Sequence, residues 1–363
     1  MVLLDFSKAF DKVPHQRLLH KLNYYGVGST TLRWIQSFLR DRTQKVLLEG
    51  VFSSSAPVLS GVPQGTVIGP LLFLAYINDL PDAISHSETK LFADDSMLMK
   101  GIKTAEDQRK LQADLEALET WESQWQMNFN PSKCNTMRAN STKETPMMKD
   151  YFLHNQKLEN SKTSKYLGVT ISDDLKWTKH VDLTAAKANR SVGFLRRNFS
   201  ACSAKAKATT YTTMVRPVLE YASTVWDPIL KGDCQKLEKV QRSAARYIFN
   251  NYQRIPGTVT GLLEKLQWDT LEERRQVNRL NMFYKIQKGL VDLNPAQFFS
   301  RSDCRTRGDK GFQERSNNKP VFINSFFPKT LSQWNKLPAS LTEAKSLNIF
   351  HQGVVRFTRT HTL

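Results

Sequence analysis

Cysteine is scarce in this chain, with four in 363 residues: Cys134, Cys202, Cys234 and Cys304. They are widely separated and form no C-x-x-C pair with histidines nearby. That spacing excludes a disulfide framework or a zinc knuckle and leaves ordinary buried or free thiols. Long apolar runs are also missing. The longest, around "VIGPLLFLAYI", falls well short of the roughly 20 residues of a membrane-spanning helix. The opening "MVLLDFSKAF" places an acid at Asp5, which makes it a poor signal peptide. GxSxG, HExxH and Walker-type loops are absent, and His15, His20 and His180 have no matched partners for nucleophilic or zinc chemistry. No internal repeat or long low-complexity tract is found. These absences lead us to expect an intracellular protein, nuclear or cytoplasmic, with no signal peptide, no transmembrane segment and no membrane partner.

Acidic residues are in deficit too: 34 Asp and Glu stand against 52 Lys and Arg, for a net charge of +18. Such an excess calls for a polyanionic partner, with nucleic acid favoured over an anionic membrane surface. The length allows two or three packed units, since single domains run about 100 to 200 residues.

The first part of the chain alternates strand-like and helical segments. "VLLD" reads as a buried strand ending in an acid. "HQRLLHKLNYYGVG" reads as a helix closed by Gly26, and "STTLRWIQSFLRD" as a second helix capped by Ser29. "QKVLLEG" and "FSSSAPVLSG" look like strands. In "VPQGTVIGPLLFLAYINDLP", Pro70 suits a first helical turn and Pro81 is expected to end the helix about three turns later. A hairpin around Asp94 follows. From Thr104 to about Gln126 a capping box, Thr104 with Asp107, opens a helix whose apolar face carries Leu111, Leu115, Leu118 and Trp125. Residues 138–150 are polar and aperiodic, so they read as a loop. The pattern is that of an α+β core.

Beyond Trp177 the strands fade. Between Leu183 and Leu219 there is no acid, while Lys187, Arg190, Arg196, Arg197, Lys205, Lys207 and Arg216 are basic, as in a helical unit with one positive surface. A further helical region covers roughly 233–290, with a Thr270–Glu273 capping box and Gly289 as a stop. The end of the chain mixes the basic "SRSDCRTRGDKG" with aromatic anchors such as Phe326, Phe327 and Trp334.

"LFADDSMLMK" sets Asp94 and Asp95 side by side between apolar runs. Two adjacent carboxylates repel each other unless a cation lies between them and a further acid. Mg²⁺, which takes hard oxygen ligands, resolves that conflict; a plain solvated turn is the alternative. Asp5 ends its own apolar strand. Acids at neighbouring strand ends can hold two metals about 3.5 to 4 Å apart, the arrangement used for in-line phosphoryl displacement.

"LDFSKAFDKVPH", "SGVPQGTVIGPLLFLAYINDLP", "LFADD", "NFNPSKCNTM" and "KYLGVTISDDLKWTKHV" occur in this order. Together they resemble the motif series of a reverse transcriptase of the non-LTR (LINE-type) retrotransposon family, close to the jockey-like group. The likeness continues more weakly through "LEKVQRSAARYI", "LEERRQVNRLNMFYKI" and "NSFFPKTLSQWNKLP". It implies an RNA-directed DNA polymerase with a palm of antiparallel sheet and packed helices, then a helical thumb. Its cofactor would be two Mg²⁺ ions, replaceable by Mn²⁺, and its partners an RNA template, a DNA primer and deoxynucleotide triphosphates.

Residue by residue, the resemblance makes Asp5 and Asp94 the main metal ligands and Asp95 the auxiliary carboxylate. Phe10 matches a sugar gate that excludes a ribose 2′ hydroxyl; a core aromatic is the alternative. Gln64, within a Gly/Pro loop whose glycines let backbone approach a ligand, falls near the incoming nucleotide and template base; an ordinary loop before a helix is the alternative. Lys133 matches a lysine that assists pyrophosphate departure, and a surface lysine would look the same. Tyr166, Leu167 and Gly168 resemble a primer grip, or a plain strand turn. Lys187, Arg190, Arg196 and Arg197 would follow the nucleic-acid backbone, or form a solvated helix face. Asp11 and the pair Asp173 and Asp174 read as helix-start and turn acids.

The expected division is a palm over 1–175, a basic thumb-like region over 176–230 and a helical, basic extension over 231–363. The family's fingers region would precede Asp5, and only four residues stand before it here. Polymerase activity of this chain alone is therefore set against a second expectation, a catalytically impaired nucleic-acid-binding remnant.

Overall fold

The computed structural model describes residues 1–139, 150–301, 311–313 and 319–360. Most of the loop expected at 138–150, and the basic stretch containing Cys304, lie outside them. The fold is mixed α+β and divides into two compact units, Met1–Asp174 and Leu175–Leu363.

The first unit opens with β1 (Val2–Leu4), then α1 (His15–Tyr24) and α2 (Ser29–Leu39). Four short exposed strands follow: β2 (Thr43–Gln44), β3 (Leu47–Leu48), β4 (Val51–Phe52) and β5 (Ala56–Pro57). After them come α3 (Gly69–Ile77), the hairpin β6 (Glu88–Phe92) and β7 (Asp95–Met99), and α4 (Ala105–Trp125). The unit ends with β8 (Asn135–Thr136), β9 (Phe152–Leu153), β10 (Gln156–Lys157), β11 (Glu159–Asn160), and the hairpin β12 (Thr163–Tyr166) and β13 (Val169–Ser172). The main sheet runs β11-β8-β1-β7-β6.

β1 lies at its centre because all three of its residues are apolar and buried. Val2 and Leu4 enter a core with Leu18, Leu22, Phe73, Tyr76, Leu98, Leu111, Leu115 and Trp121. The register Val2↔Leu98, Leu3↔Met97, Leu4↔Ser96 fixes what lies one step further: Asp5 faces Asp95. A slip of one residue would turn the apolar set of β1 out of the core.

The capping box at Thr104 and Asp107 forms, as does the one at Thr270 and Glu273. Three expectations need correction. Gly28, not Ser29, occupies the cap of α2 and makes no side-chain bond; Ser29 is already helical. α3 ends at Ile77, before Pro81, which sits inside a separate 3₁₀ turn, Leu80–Ala83. The strands expected from "QKVLLEG" and "FSSSAPVLSG" break into two ribbons, β2 with β5 and β3 with β4. Their side chains, including Leu48 and Phe52, are exposed.

Among the described residues, the second unit's strands are the short pair β14 (Ser300–Arg301) and β15 (Phe312–Gln313), and its longer elements are helices. Its helices are α5 (Thr178–Asn198), α6 (Ala204–Met214), α7 (Arg216–Glu220), α8 (Lys231–Ile248), α9 (Thr258–Lys265), α10 (Leu271–Gln287), α11 (Pro320–Ile323), α12 (Phe326–Trp334), α13 (Ala339–Thr342) and α14 (Leu347–Thr360). α5 packs on α8, burying Val181, Ala185, Ala188, Val192 and Leu195 at helical spacing. Phe283, Phe299, Phe312, Trp334 and Phe350 form an aromatic core.

Contacts within this unit run across residues 230 and 231. The α5–α8 packing spans them, and so does a buried ion cluster: Arg275 Nε donates to Asp227 Oδ1 at 2.8 Å and Arg279 Nη1 to Asp227 Oδ2 at 2.5 Å, with Lys329 on the same carboxylate.

Candidate active site

β1 and the β6–β7 hairpin bring acids to one end of the sheet. Asp5 is the first residue past β1, Asp94 sits in the hairpin turn, and Asp95 begins β7. Ala93 takes φ 51° in that two-residue turn. Asp5 and Asp95 line a cavity of about 250 Å³ together with Ser96, Lys133, Asn135, Lys165 and Tyr166. Asp94 stands beside it without lining it.

Electrostatics join the three acids. The Asp95 carboxyl is pushed up, first by burial and then by the charges of Asp94 and Asp5. Oδ2 of Asp5 is buried and accepts no hydrogen bond, although Lys133 Nζ is 3.4 Å away. At that distance the pair attracts without forming a directed bond. A hard divalent cation fits these donors, because it would satisfy the orphaned oxygen and relieve the repulsion on Asp95. Among the described residues, no three His, Cys, Asp or Glu side chains already stand close enough to hold a metal.

The Lys133 turn is fixed to Asp5 through the backbone. Asn130 N donates to Asp5 O at 2.7 Å, and Lys133 N to Asn130 O at 2.9 Å. Asp5 N donates to Cys134 Sγ at 3.4 Å. Burial pushes the Cys134 thiol up to about 11, so this cysteine packs and is not a nucleophile. Behind the turn, the buried Glu122 accepts from Phe129 N and lies 2.6 Å from His154 Nε2. Phe129 in turn bridges Phe6, next to Asp5.

Tyr166 reaches the cavity from the β12–β13 hairpin, whose turn residues Leu167 and Gly168 have φ 45° and 80°. Positive φ at both central positions gives the turn a twist that matches the strands. Ser164 Oγ, donating to Asn135 Oδ1 at 2.6 Å, ties the hairpin to β8. The Tyr166 hydroxyl is pushed up by burial and then by the Asp95 charge.

Phe10 and Gln64 are not among the residues lining this cavity. Phe10 stacks on Phe73 with ring centroids 4.3 Å apart and packs against the core. Gln64 is exposed and its Nε2 donates to Asp11 Oδ1 at 2.9 Å. The two are coupled nonetheless. Val62 N donates to Phe10 O and Gly61 N to Val13 O, each at 2.8 Å. Gly61 has φ 92°, and a Cβ there would lie 2.8 Å from the Asp11 backbone, so only glycine lets the loop dock.

On α5, Lys187, Arg190 and Arg197 are exposed. Arg196 is turned inward and donates to Ser243 Oγ at 2.6 Å and to Ser243 O at 3.1 Å. Asp173 and Asp174 occupy a turn. Cys134, Cys202 and Cys234 are free thiols. No helix among the described residues is long and apolar enough to cross a membrane.

Sequence reasoning missed Ser96, Asn135 and Lys165 at the cavity, and the Glu122–His154 pair behind it. Ser96 and Lys165 adjoin residues that were singled out; Glu122 looked like one more acid on an amphipathic helix.

The family model for reverse transcriptase (RNA-dependent DNA polymerase) matches residues 1–171. A probable RNA-directed DNA polymerase from transposon BS of Drosophila melanogaster is 29% identical over 294 residues, covering 75% of this chain and 31% of that protein. The RNA-directed DNA polymerase from mobile element jockey of the same fly is 29% identical over 257 residues, covering 68% of this chain and 28% of the relative. The chain thus spans under a third of the length of these relatives. Among solved structures, telomerase from Candida albicans in complex with a telomeric RNA fragment aligns with TM-score 0.35 at 12% identity, over 81% of this chain and 49% of that one. By the matched segment, residues 1–171 form a reverse transcriptase domain, and the relatives that this chain resembles are RNA-directed DNA polymerases of mobile elements.

Proposed function

We propose that this chain carries the palm of an RNA-directed DNA polymerase, adding deoxynucleotides to a primer 3′ end against an RNA template, with the helical second unit supplying a thumb. The observation that carries the reading is the meeting of Asp5, Asp95 and Lys133 in one cavity. Asp5, Asp94 and Asp95 would hold divalent cations, Mg²⁺ or Mn²⁺. Such ions, two in this class of reaction, lower the pKa of the attacking hydroxyl and offset charge on the phosphates.

The chain's own groups supply the rest. Lys133, beside Asp5, would pass its charge to the departing pyrophosphate. Tyr166, which lines the cavity, with its turn residues Leu167 and Gly168 would hold a primer end. Phe10 is held by Phe73 and by the loop of Gln64, so it can act as a fixed steric gate against a 2′ hydroxyl only if a sugar reaches its exposed edge. Lys187, Arg190 and Arg197 offer charge to a phosphate backbone without reading sequence. Arg196 would contribute through the field alone, since its guanidinium is bound to Ser243.

Primer extension on an RNA template, with the full chain, Mg²⁺ and deoxynucleotides, tests this. Template-directed product is expected, and its loss in Asp94→Ala. Product that persists unchanged in Asp94→Ala would remove the assignment. In Phe10→Ala, ribonucleotide incorporation should rise relative to deoxynucleotide; an unchanged ratio leaves Phe10 a core residue.

A further inference from the structure

The second unit contains a larger cavity, of about 620 Å³, outside the matched reverse transcriptase segment. One wall is a single face of α10: Asn278, Asn281, Met282 and Lys285, at spacings of three and four. α14 supplies Leu347 and His351 opposite.

Its chemistry is specific. Asn278 Nδ2 donates to Ser223 Oγ at 3.2 Å, which leaves its carbonyl oxygen for other partners. The Asn281 amide nitrogen is engaged with His351 Nδ1 at 2.8 Å, while Asn281 Oδ1 is buried with no partner. A buried acceptor of this kind is costly unless a donor arrives. Lys285 has no ion-pair partner among the described residues. The only acid in the lining, Glu220, is neutralised by Arg274, which donates Nη2 to Oε2 at 3.0 Å. Met282 and Leu347 add apolar surface between the amides.

We infer that this cavity binds one nucleotide of a single-stranded nucleic acid, the base edge meeting the Asn278 and Asn281 amides and the phosphate meeting Lys285. Amide side chains pair with base edges because each offers a donor and an acceptor at matching spacing. The exocyclic amine of a base is the donor that Asn281 Oδ1 lacks. An unpaired strand is required, since a base stacked within a duplex cannot enter a concave site. The net charge of +18 favours a polyanionic ligand over a neutral one. The inference does not depend on polymerase activity.

The test is fluorescence anisotropy of the full chain with labelled single strands, in RNA and DNA form, beside abasic strands of equal length and a blunt duplex. Wild-type protein should bind the base-bearing strand of at least one sugar type more tightly than the abasic strand. Asn281→Leu should lose about tenfold in affinity for that strand and little for the abasic strand or duplex. Lys285→Gln should lower the salt dependence by about one phosphate contact. Equal binding of base-bearing and abasic strands, or full affinity in a folded Asn281→Leu, overturns the proposal. If Asn281→Leu does not fold, a strand carrying a photoreactive base decides with the wild type: cross-links within 278–285 or 347–351 support the site, and cross-links confined to other segments overturn it.

Discussion

Lys133 Nζ lies 3.4 Å from Oδ2 of Asp5, across 128 residues of chain, without making a hydrogen bond to it. A metal held by that oxygen would have to compete with the Lys133 ammonium for it. Lys133→Ala is expected to raise divalent-cation affinity several-fold while slowing nucleotide addition. Calorimetric Mn²⁺ titration beside single-turnover extension checks both. A fall in metal affinity would show that Lys133 supports the site and does not compete for it.

Asp95 gives a stability signature. Burial, then Asp94 and Asp5, hold its carboxyl above the usual range, so the folded state keeps a proton that the unfolded state has released. Its contribution to stability is thus greatest in acid and falls as pH rises through and above the ordinary carboxylate range. Asp95→Asn removes that repulsion and should raise Tm at neutral pH. Mg²⁺ should raise Tm of the wild type more than of the variant. A lower Tm for Asp95→Asn contradicts the electrostatic account.

Lys21 is buried beneath Tyr76, Trp121 and Trp125, with Nζ 3.7 Å from the Trp125 ring and 2.5 Å from Asp79 Oδ1. Burial pushes its ammonium down to about 8, and Asp79 opposes this. From that pH towards about 10.4, where an unfolded lysine titrates, the unfolded state binds the extra proton, so stability rises with pH. Denaturant unfolding between pH 8 and 10 should show the rise in wild type and a flatter profile in Lys21→Met.

The Asp227 cluster behaves in the opposite sense. Burial raises this carboxyl, but Arg279, Lys329 and Arg275 together outweigh it and hold it low. Its stabilisation is present above the ordinary carboxylate range and is lost as pH falls through the depressed value. Asp227→Ala strands two buried guanidinium groups and should cost about 3 to 5 kcal/mol, measured by urea unfolding. A cost below about 1 kcal/mol would mean that the arginines find other partners.

Much of this was readable from sequence where one signal acted locally. "VLLD" declared a buried strand ending in an acid and "LFADD" a hairpin with acids at its turn, although the β6 arm of that hairpin is largely exposed, and both capping boxes formed where Thr stands three residues before Asp or Glu. The "YLG" turn is a hairpin because Leu167 and Gly168 accept positive φ. Reading failed where the deciding partner is distant. Nothing around Lys133 names Asp5, and nothing around Glu122 names His154. "QKVLLEG" has strand-like composition, yet no core covers it, so it forms only two-residue ribbons. Arg196 lies in a basic stretch, but its helical phase turns it to Ser243 while Lys187, Arg190 and Arg197 face solvent.

The central claim is that Asp5, Asp94 and Asp95 act together in nucleotidyl transfer. Its most direct test is the single-turnover rate of deoxynucleotide addition to a primed RNA template by wild type, Asp5→Asn and Asp94→Ala, each confirmed as folded. The account expects Mg²⁺-dependent addition in the wild type and a drop of about a hundredfold or more in each variant. Equal rates in all three would contradict it.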